Sequence, residues 1–398
     1  MSPRTVLVSG ASVAGPTLAY WLERSGVSTT VIERFPELRS GGQSVDLRGA
    51  GRTVVQRMGI EDAVRAAGTG ETGLQFVDSR GKIKAQFGSD TMDGEGPTAE
   101  LEILRGDLGK ILYDHTRDRT EYVFGDSITG IDDDGDRVRV SFEHSADRDF
   151  DIVVLAEGLR SRTRSMVFGD DVSIRDLGMY TSYFTIPRVE SDTQWAQWSN
   201  APGSRSVLLR PDNVGTTRAT LSFMTDPKGY ETLTVDDQKD VLRRTFSDAP
   251  FAARALAGLT DTPDFYFESL GQVTMSTWSK GRVVLLGDAG YCASPISGMG
   301  TSLATVGAYV LAGEIASHDD HRDAFTAYES IMRPYVDQAQ KLASGAPRVA
   351  NPKTKLGVAT MNAVLGLASR IKITSLFGKF ASPPSDKIDL PNYAVPIT

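Results

Sequence analysis

The strongest constraint on the fold lies at the N-terminus, where Thr5-Val6-Leu7-Val8-Ser9 runs directly into Gly10-Ala11-Ser12-Val13-Ala14-Gly15. The first stretch is short, apolar and β-branched, which marks a buried strand; Pro16 to Arg24 then carries Leu18, Ala19, Trp21 and Leu22 at helical spacing. Strand, glycine turn and helix therefore follow one another. Gly10 permits the turn, Gly15 lets helix and strand pack closely, and the helix start offers free N–H groups and a positive dipole end to a pyrophosphate. The second strand, Thr29-Thr30-Val31-Ile32, ends at Glu33 and Arg34. An acid there accepts hydrogen bonds from an adenosine ribose and argues against a 2′-phosphate. Ser12 stands where the pattern has its middle glycine, adding a Cβ but also a hydroxyl that can donate to phosphate. On this segment alone, an ordinary βα turn stays open.

A later segment narrows the choice. Gly281 to Leu286 reads as a second buried strand and stops at Gly287-Asp288-Ala289, placing one carboxylate at the end of a parallel strand, where such sheets bind ligands. Pro295, Gly298, Met299 and Gly300 follow, and an apolar helix runs from Thr301 through Leu303, Val306, Val310 and Leu311 to Ile315. Asp288 suits ribityl hydroxyls, and the open helix start suits the N1/O2 edge of an isoalloxazine. Between the two lies Ala156-Glu157-Gly158. Three such stretches in one chain fit FAD, which must be held at pyrophosphate, ribityl chain and ring at once.

With these motifs the chain resembles the FAD-dependent aromatic hydroxylases typified by para-hydroxybenzoate hydroxylase, and most the actinobacterial and tetracycline-inactivating single-component monooxygenases. The family's D-G-x-x-S-x-x-R fingerprint, associated with FAD and the nicotinamide donor, is matched by Glu157-Gly158-Leu159-Arg160-Ser161-Arg162-Thr163-Arg164, with glutamate for aspartate. Leu104-Arg105-Gly106-Asp107-Leu108 resembles the segment whose arginine contacts FAD, which implies Arg105. Gly42 to Leu47 resembles the loop after the ribose-binding strand, with Asp46 near the flavin and Arg48 at the entry. Tyr291, Ser302 and Gly307 depart from the family's usual histidine, asparagine and aspartate.

The resemblance implies an α/β fold: a Rossmann-like FAD-binding domain, an inserted, mostly antiparallel substrate sheet, and C-terminal helices. Residues 1–72, 100–174 and 272–335 would form the FAD-binding part, 73–99 and 175–271 the substrate domain, and 336–398 a C-terminal helical segment. The implied chemistry is hydroxylation of an aromatic or polyketide-type molecule through a C4a-hydroperoxyflavin, with O2 as co-substrate. Baeyer–Villiger insertion and epoxidation remain alternatives. No second glycine-rich fingerprint appears, so NADPH or NADH would dock transiently, with Arg160, Arg162 and Arg164 as contacts. Strand-like runs between Met179 and Phe223 and a gathering of aromatics predict the substrate wall. Candidate substrate contacts are Tyr183, Gln194, Arg210, Phe223 and Pro295.

Three other classes compete. A flavin halogenase should carry W-x-W-x-I-P, whereas Trp195-Ala196-Gln197-Trp198 has the wrong spacing. A flavin reductase or dehydrogenase of an isoprenoid-like substrate, and a non-catalytic FAD or polyketide carrier, would share the cofactor motifs. A net charge of −8 disfavours nucleic acid as a partner. The lone Cys292 excludes an internal disulfide and fits a cytoplasmic protein, reading best as a small buried hydrophobe. His115, His144, His318 and His321 are too scattered to hold a metal. Met1 leads straight towards the first strand without a secretion signal. The apolar stretch Leu356 to Ala368 is too short to span a bilayer, and a helix packed on both domains is expected there, with membrane contact disfavoured. Monomer and homodimer are both compatible with the sequence.

Overall fold

A computed structural model describes residues 4–39, 42–89, 101–342, 345–370 and 388–393. Residues 90–99, at the end of the first predicted substrate segment, lie outside the described residues, as does much of the C-terminal segment. Two sheets organise the chain. The first has six strands in the order Ser279–Lys280, Val283–Leu285, Ile152–Leu155, Thr5–Ser9, Ser28–Glu33 and Glu121–Phe124. All pair in parallel except the first, short edge strand. Its central strands are apolar without alternation because both faces are covered, with helix Ala14–Arg24 and the antiparallel strands Ile128–Asp133, Val138–Phe142 and Arg148–Phe150 contributing to the same core, so their side chains are buried except at Thr5. Helix Ala14–Arg24 packs between this sheet and helix Gly300–Ser317, where Trp21 meets Tyr309 edge-on at 4.9 Å.

The second sheet has seven strands: Tyr266–Met275, Val172–Pro187, Thr216–Met224, Arg205–Pro211, Trp195–Ala201, Gly73–Val77 and Ile83–Gly88. Pairing is antiparallel throughout except between Trp195–Ala201 and Gly73–Val77. Alternation splits its residues cleanly. Tyr180, Phe184, Ile186, Val207, Leu209, Leu221, Phe223 and Phe267 turn one way and join Val241, Leu242, Phe246 and Leu259 of the covering helical segment in a separate core. Tyr183, Thr181, Thr220, Ser222, Arg210, Tyr266 and Glu268 occupy the alternate positions and face the other way.

Helix Lys355–Arg370 packs mainly on this sheet, where Leu365 and Met361 join Ala85 and Phe87, and Gly366 passes so close to Lys84 that a Cβ would stand 2.8 Å from its carbonyl oxygen. Among the described residues no helix is long and apolar enough to cross a membrane.

Candidate cofactor and substrate site

The predicted motifs meet in space, and contacts too close for a side chain join them. Gly10, at φ +115°, lies so near the second motif that a Cβ would stand 2.5 Å from the Ala156 carbonyl oxygen. At Gly15 a Cβ would be 2.0 Å from the Gly10 carbonyl oxygen, which is why helix and turn tolerate only glycine. A Cβ on Gly287 would be 3.4 Å from Ala14 Cβ, so the first and third turns also abut. Arg164, 2% exposed, donates to Ala289 O at 2.7 Å and Leu159 O at 2.9 Å, fastening the middle motif to the third.

Each turn presents a different chemistry. Glu33 accepts from the Ala11 N–H at 2.9 Å and the Phe35 N–H at 3.1 Å, which orients its carboxylate at the mouth of the glycine turn. Arg34 and Arg39 are exposed and lie over the Phe35 ring, 5.0 and 4.7 Å from its centre. Arg105 donates to Ser12 Oγ at 3.0 Å and rests on Gly42, where a Cβ would come within 3.1 Å of its Nε. Among the described residues this guanidinium has no salt bridge, and burial, with Arg39 nearby, lowers its pKa to about 10. Ala11, Ser12, Glu33, Leu38, Arg39, Arg105, Gly106 and Gly109 line a small pocket that opens to solvent.

Asp288 opens the short helix Asp288–Tyr291 after Gly287, whose φ is +64°. Its side chain is accessible from the cleft yet walled by protein, and this desolvation raises its pKa, with Cys292 as its hydrogen-bonding neighbour. Beyond it, Ser294 adopts φ +76°, a strained value for a side-chain-bearing residue, and leads into Pro295–Ser297 and helix Gly300–Ser317. Pro295 and Gly298 are exposed, whereas Met299 is buried at the helix start.

The Glu157 carboxylate is occupied by its own chain. It accepts from Ser9 Oγ, Ser161 Oγ, Thr163 Oγ1 and Thr163 N at 2.6 to 3.2 Å, knitting the first strand to helix Arg162–Phe168. Gly158 beside it, at φ +83°, makes the bend. Arg160 is half-exposed and pairs with Glu231 at 3.2 Å, Arg162 is exposed, and Arg164 is spent on carbonyls.

Departures from the family pattern are packed against one another. A Cβ on Gly307 would stand 2.2 Å from Tyr291 Oη, so a large residue at one position requires a minimal one at the other. Tyr291 Oη in turn meets Tyr328 Oη at 2.8 Å. Ser302 lies against Gly51, where a Cβ would be 2.7 Å from its Oγ.

Of the predicted substrate contacts, Tyr183 reaches the cleft, stacked on Tyr266 at 6.4 Å. Phe223 does not: it is 5% exposed in the helix-covered core and stacks on Tyr180 at 5.5 Å, because its position in the alternation points it away. Gln194 is exposed before strand Trp195–Ala201 and accepts from Arg188 at 3.2 Å. Arg210 ties its strand to Glu71 and to Glu102 of the short two-stranded sheet Ser44–Asp46 and Glu102–Leu104. It donates to both Glu71 oxygens at 2.9 and 3.0 Å and stands 3.1 Å from Glu102. Glu102 pairs in register with Asp46, which holds Arg48 at 2.9 Å. Burial raises the Glu102 pKa despite Arg210, and the same carboxylates hold Arg210 firmly protonated.

Sequence reasoning missed Glu268. Tyr266 Oη donates to its Oε2 at 3.2 Å. Burial is the main cause that lifts its pKa to about 7, and Asp288 adds to it. The available signal was Tyr266-Phe267-Glu268, in which alternation puts a phenol and a carboxyl on the face opposite the buried Phe267.

Three glycine turns in mutual contact, with a deep carboxyl and a cleft-side arginine, match a known pattern: the FAD binding domain model fits residues 4–343. The chain belongs to the FAD-binding domain family. Within this family it is 41% identical over 354 residues to an uncharacterised protein, Rv1260, of Mycobacterium tuberculosis, covering 86% of this chain and 95% of the relative. It is 36% identical over 431 residues to the flavin-dependent monooxygenase eupH of a Phoma species, covering 99% and 98%. The solved structure of the tetracycline destructase Tet(51) superposes with a TM-score of 0.82 at 32% identity, covering 98% of this chain and all of that one. This family member is an FAD-dependent monooxygenase, and its fold is that of the FAD-dependent hydroxylases.

Proposed function

We propose that the enzyme takes electrons from NADPH or NADH and delivers one oxygen atom from O2 to an aromatic, polyketide-type small molecule, with ring hydroxylation as the principal outcome. The contact of the three turns carries this reading, because it leaves a groove of the right chemistry for a flavin dinucleotide from end to end. Bound FAD supplies electron acceptance from the nicotinamide and activation of oxygen. Everything else falls to the protein's own residues.

The N–H groups around Gly10, Ser12, Ala14 and Gly15 hold the pyrophosphate, and Arg105 adds the one buried cation there that lacks a carboxylate among the described residues. Glu33 binds the adenosine ribose, with Arg34 beside the adenine end. Asp288 accepts from the ribityl hydroxyls, and Gly287, Pro295, Gly298, Met299 and Gly300 form the seat of the ring. Asp46, paired with Arg48 at 2.9 Å, would lie near the flavin. Gly158 and Glu157 act indirectly: Glu157 fixes the strand ends rather than touching cofactor.

The substrate sheet excludes water from the reaction space and supplies aromatic surface through Tyr183 and Tyr266. Arg210 serves the seam, since Glu71 and Glu102 already surround its guanidinium. Arg160, half-exposed at the cleft, is the donor contact of the middle motif. Similarity to a tetracycline destructase over nearly the whole chain favours a polycyclic phenol as the substrate.

The test is to record the visible spectrum of the purified protein, then screen tetracyclines and simpler phenols for stimulated NADPH or NADH oxidation with product mass increased by one oxygen atom. Donor oxidation that no aromatic stimulates, with reduction of an isoprenoid double bond instead, would overturn the reading.

A further inference from the structure

One carboxyl on the substrate side of the cleft has no part in the account above. Glu268 lies on strand Tyr266–Met275, on the same face as Gln272, whose amide donates to Ala293 O at 3.2 Å. That strand is bonded to the segment after Asp288, with Val273 N donating to Cys292 O at 3.0 Å. Glu268 is thereby directed at the cofactor groove from the wall opposite the glycine turns. The groups that face it are Tyr266 and Tyr183 from its own sheet, Asp288 from the third turn, Arg105 from the start of helix Arg105–Asp114, and Arg160 from the middle motif. Cys292 also feels its charge, and Arg39 faces Tyr266.

Two carboxyls, Asp288 and Glu268, thus share a groove that must receive a dianionic pyrophosphate. When the phosphates engage Arg105, Glu268 loses a compensating cation and gains a negative neighbour. We propose that Glu268 is a proton-linked gate on the cofactor groove: FAD is bound with this carboxyl neutral, so uptake of the cofactor carries a proton in with it. The proposal rests on the FAD-binding reading and adds a residue and a linkage to it.

The sign follows from the unoccupied protein. Burial and Asp288 place the Glu268 pKa near 7, so the carboxyl is largely neutral below that value and ionised above it. If the neutral form binds, affinity is level at acid pH and falls by up to about tenfold per pH unit above about 7. Burial also raises Asp288 and Glu102, so the substitution at Glu268 is what assigns the slope to this carboxyl. FAD has no group ionising near neutrality, and His115, His144, His318 and His321 sit on other elements.

The experiment is titration of the deflavinated protein with FAD, followed by flavin fluorescence, from about pH 6 to about pH 8.5, on wild type, Glu268→Gln and Asp288→Asn. Wild type should weaken by tenfold or more across that range, Glu268→Gln should stay level, and Asp288→Asn should be weaker throughout, with its fall setting in at lower pH because a charge that raises Glu268 is gone. Calorimetry on wild type alone, in buffers of differing ionisation enthalpy, should show proton uptake approaching one per FAD near pH 8. A wild-type slope retained in Glu268→Gln, or no proton uptake by wild type, overturns the gate while leaving FAD binding intact. Failure of wild type to bind FAD at any pH overturns the underlying reading and the gate with it.

Discussion

Arg105→Ala separates a cofactor-binding arginine from a structural one. In the cofactor-free protein the guanidinium makes one hydrogen bond among the described residues, to Ser12 at 3.0 Å, while burial and Arg39 work against its charge. Removing it forfeits about 1 kcal/mol of hydrogen bonding and some packing, but also relieves a cation that burial disfavours, so apoprotein stability should move by no more than about 1 kcal/mol. With FAD present the balance changes. Two charge-assisted bonds to phosphate, each about 1.5–2 kcal/mol net, are lost, for a total of about 3–4 kcal/mol. At 1.4 kcal/mol per decade, the Kd should rise by about 140- to 700-fold. Arg105→Lys keeps the charge but not the planar fork and should recover only part of this. Fluorescence titration gives the Kd, and urea unfolding of the apoprotein gives the stability. A Kd within about threefold of wild type, with apoprotein destabilised by about 3 kcal/mol or more, would show that Arg105 holds the loop and not the cofactor.

Three further substitutions probe the surroundings. Arg164→Met strands the carbonyls of Ala289 and Leu159, at about 1–3 kcal/mol each. Its urea midpoint should fall and flavin should be lost on gel filtration, because the anchored Ala289 adjoins Asp288. Phe223→Ala empties a site between Tyr180, Phe246 and Phe267 and should cost about 3–5 kcal/mol without changing substrate preference. Steady-state kinetics on two substrates together with thermal unfolding would check it. Glu102→Gln tests the buried seam. A carboxyl held neutral by burial stabilises the fold at acid pH, and that contribution fades as pH rises above the ordinary carboxylate range, so wild-type stability should decline with pH. The amide should flatten that decline, as measured by urea midpoints across the pH range.

The parts of the site readable in advance are those where the backbone itself does the work. Gly10 and Gly15 are dictated by steric contact with Ala156 and Gly10, and Gly287 by its φ of +64°. Asp288, three residues after strand Val283–Leu285, and Arg105, directly after strand Glu102–Leu104, stand out in the sequence as charges at strand ends. The substrate wall was harder. An aromatic in a strand fixes only that one face is filled, and the choice between faces depends on register with neighbours far away in sequence. Phe223, paired with Tyr180, belongs to the helical side, whereas Tyr183, three residues further along that strand, belongs to the cleft. Arg210 was legible as a cleft residue but not as a filled one, because Glu71 and Glu102 reach it across 139 and 108 positions of chain.

The arrangement also places the two tasks of the enzyme on one strand. Tyr266–Met275 begins as an edge of the substrate sheet, with Tyr266 and Glu268 in the cleft, and ends bonded to Cys292 and Ala293 behind the Asp288 turn. Gln340 ties the same junction from a third element, donating to Val273 O at 2.7 Å and Cys292 O at 3.1 Å. Under the proposed roles, a shift in this sheet would pass through these hydrogen bonds to the turn of Asp288, the residue proposed to seat the ribityl chain. The buried seam of Asp46, Glu71, Glu102 and Arg210 ties the seven-stranded sheet to the two-stranded sheet of Ser44–Asp46 and Glu102–Leu104, through buried polar groups that tolerate little displacement. Substitutions that change substrate choice through Tyr183 or Tyr266 should for this reason alter flavin affinity as well, whereas those on the helix-covered face of the same sheet should change neither.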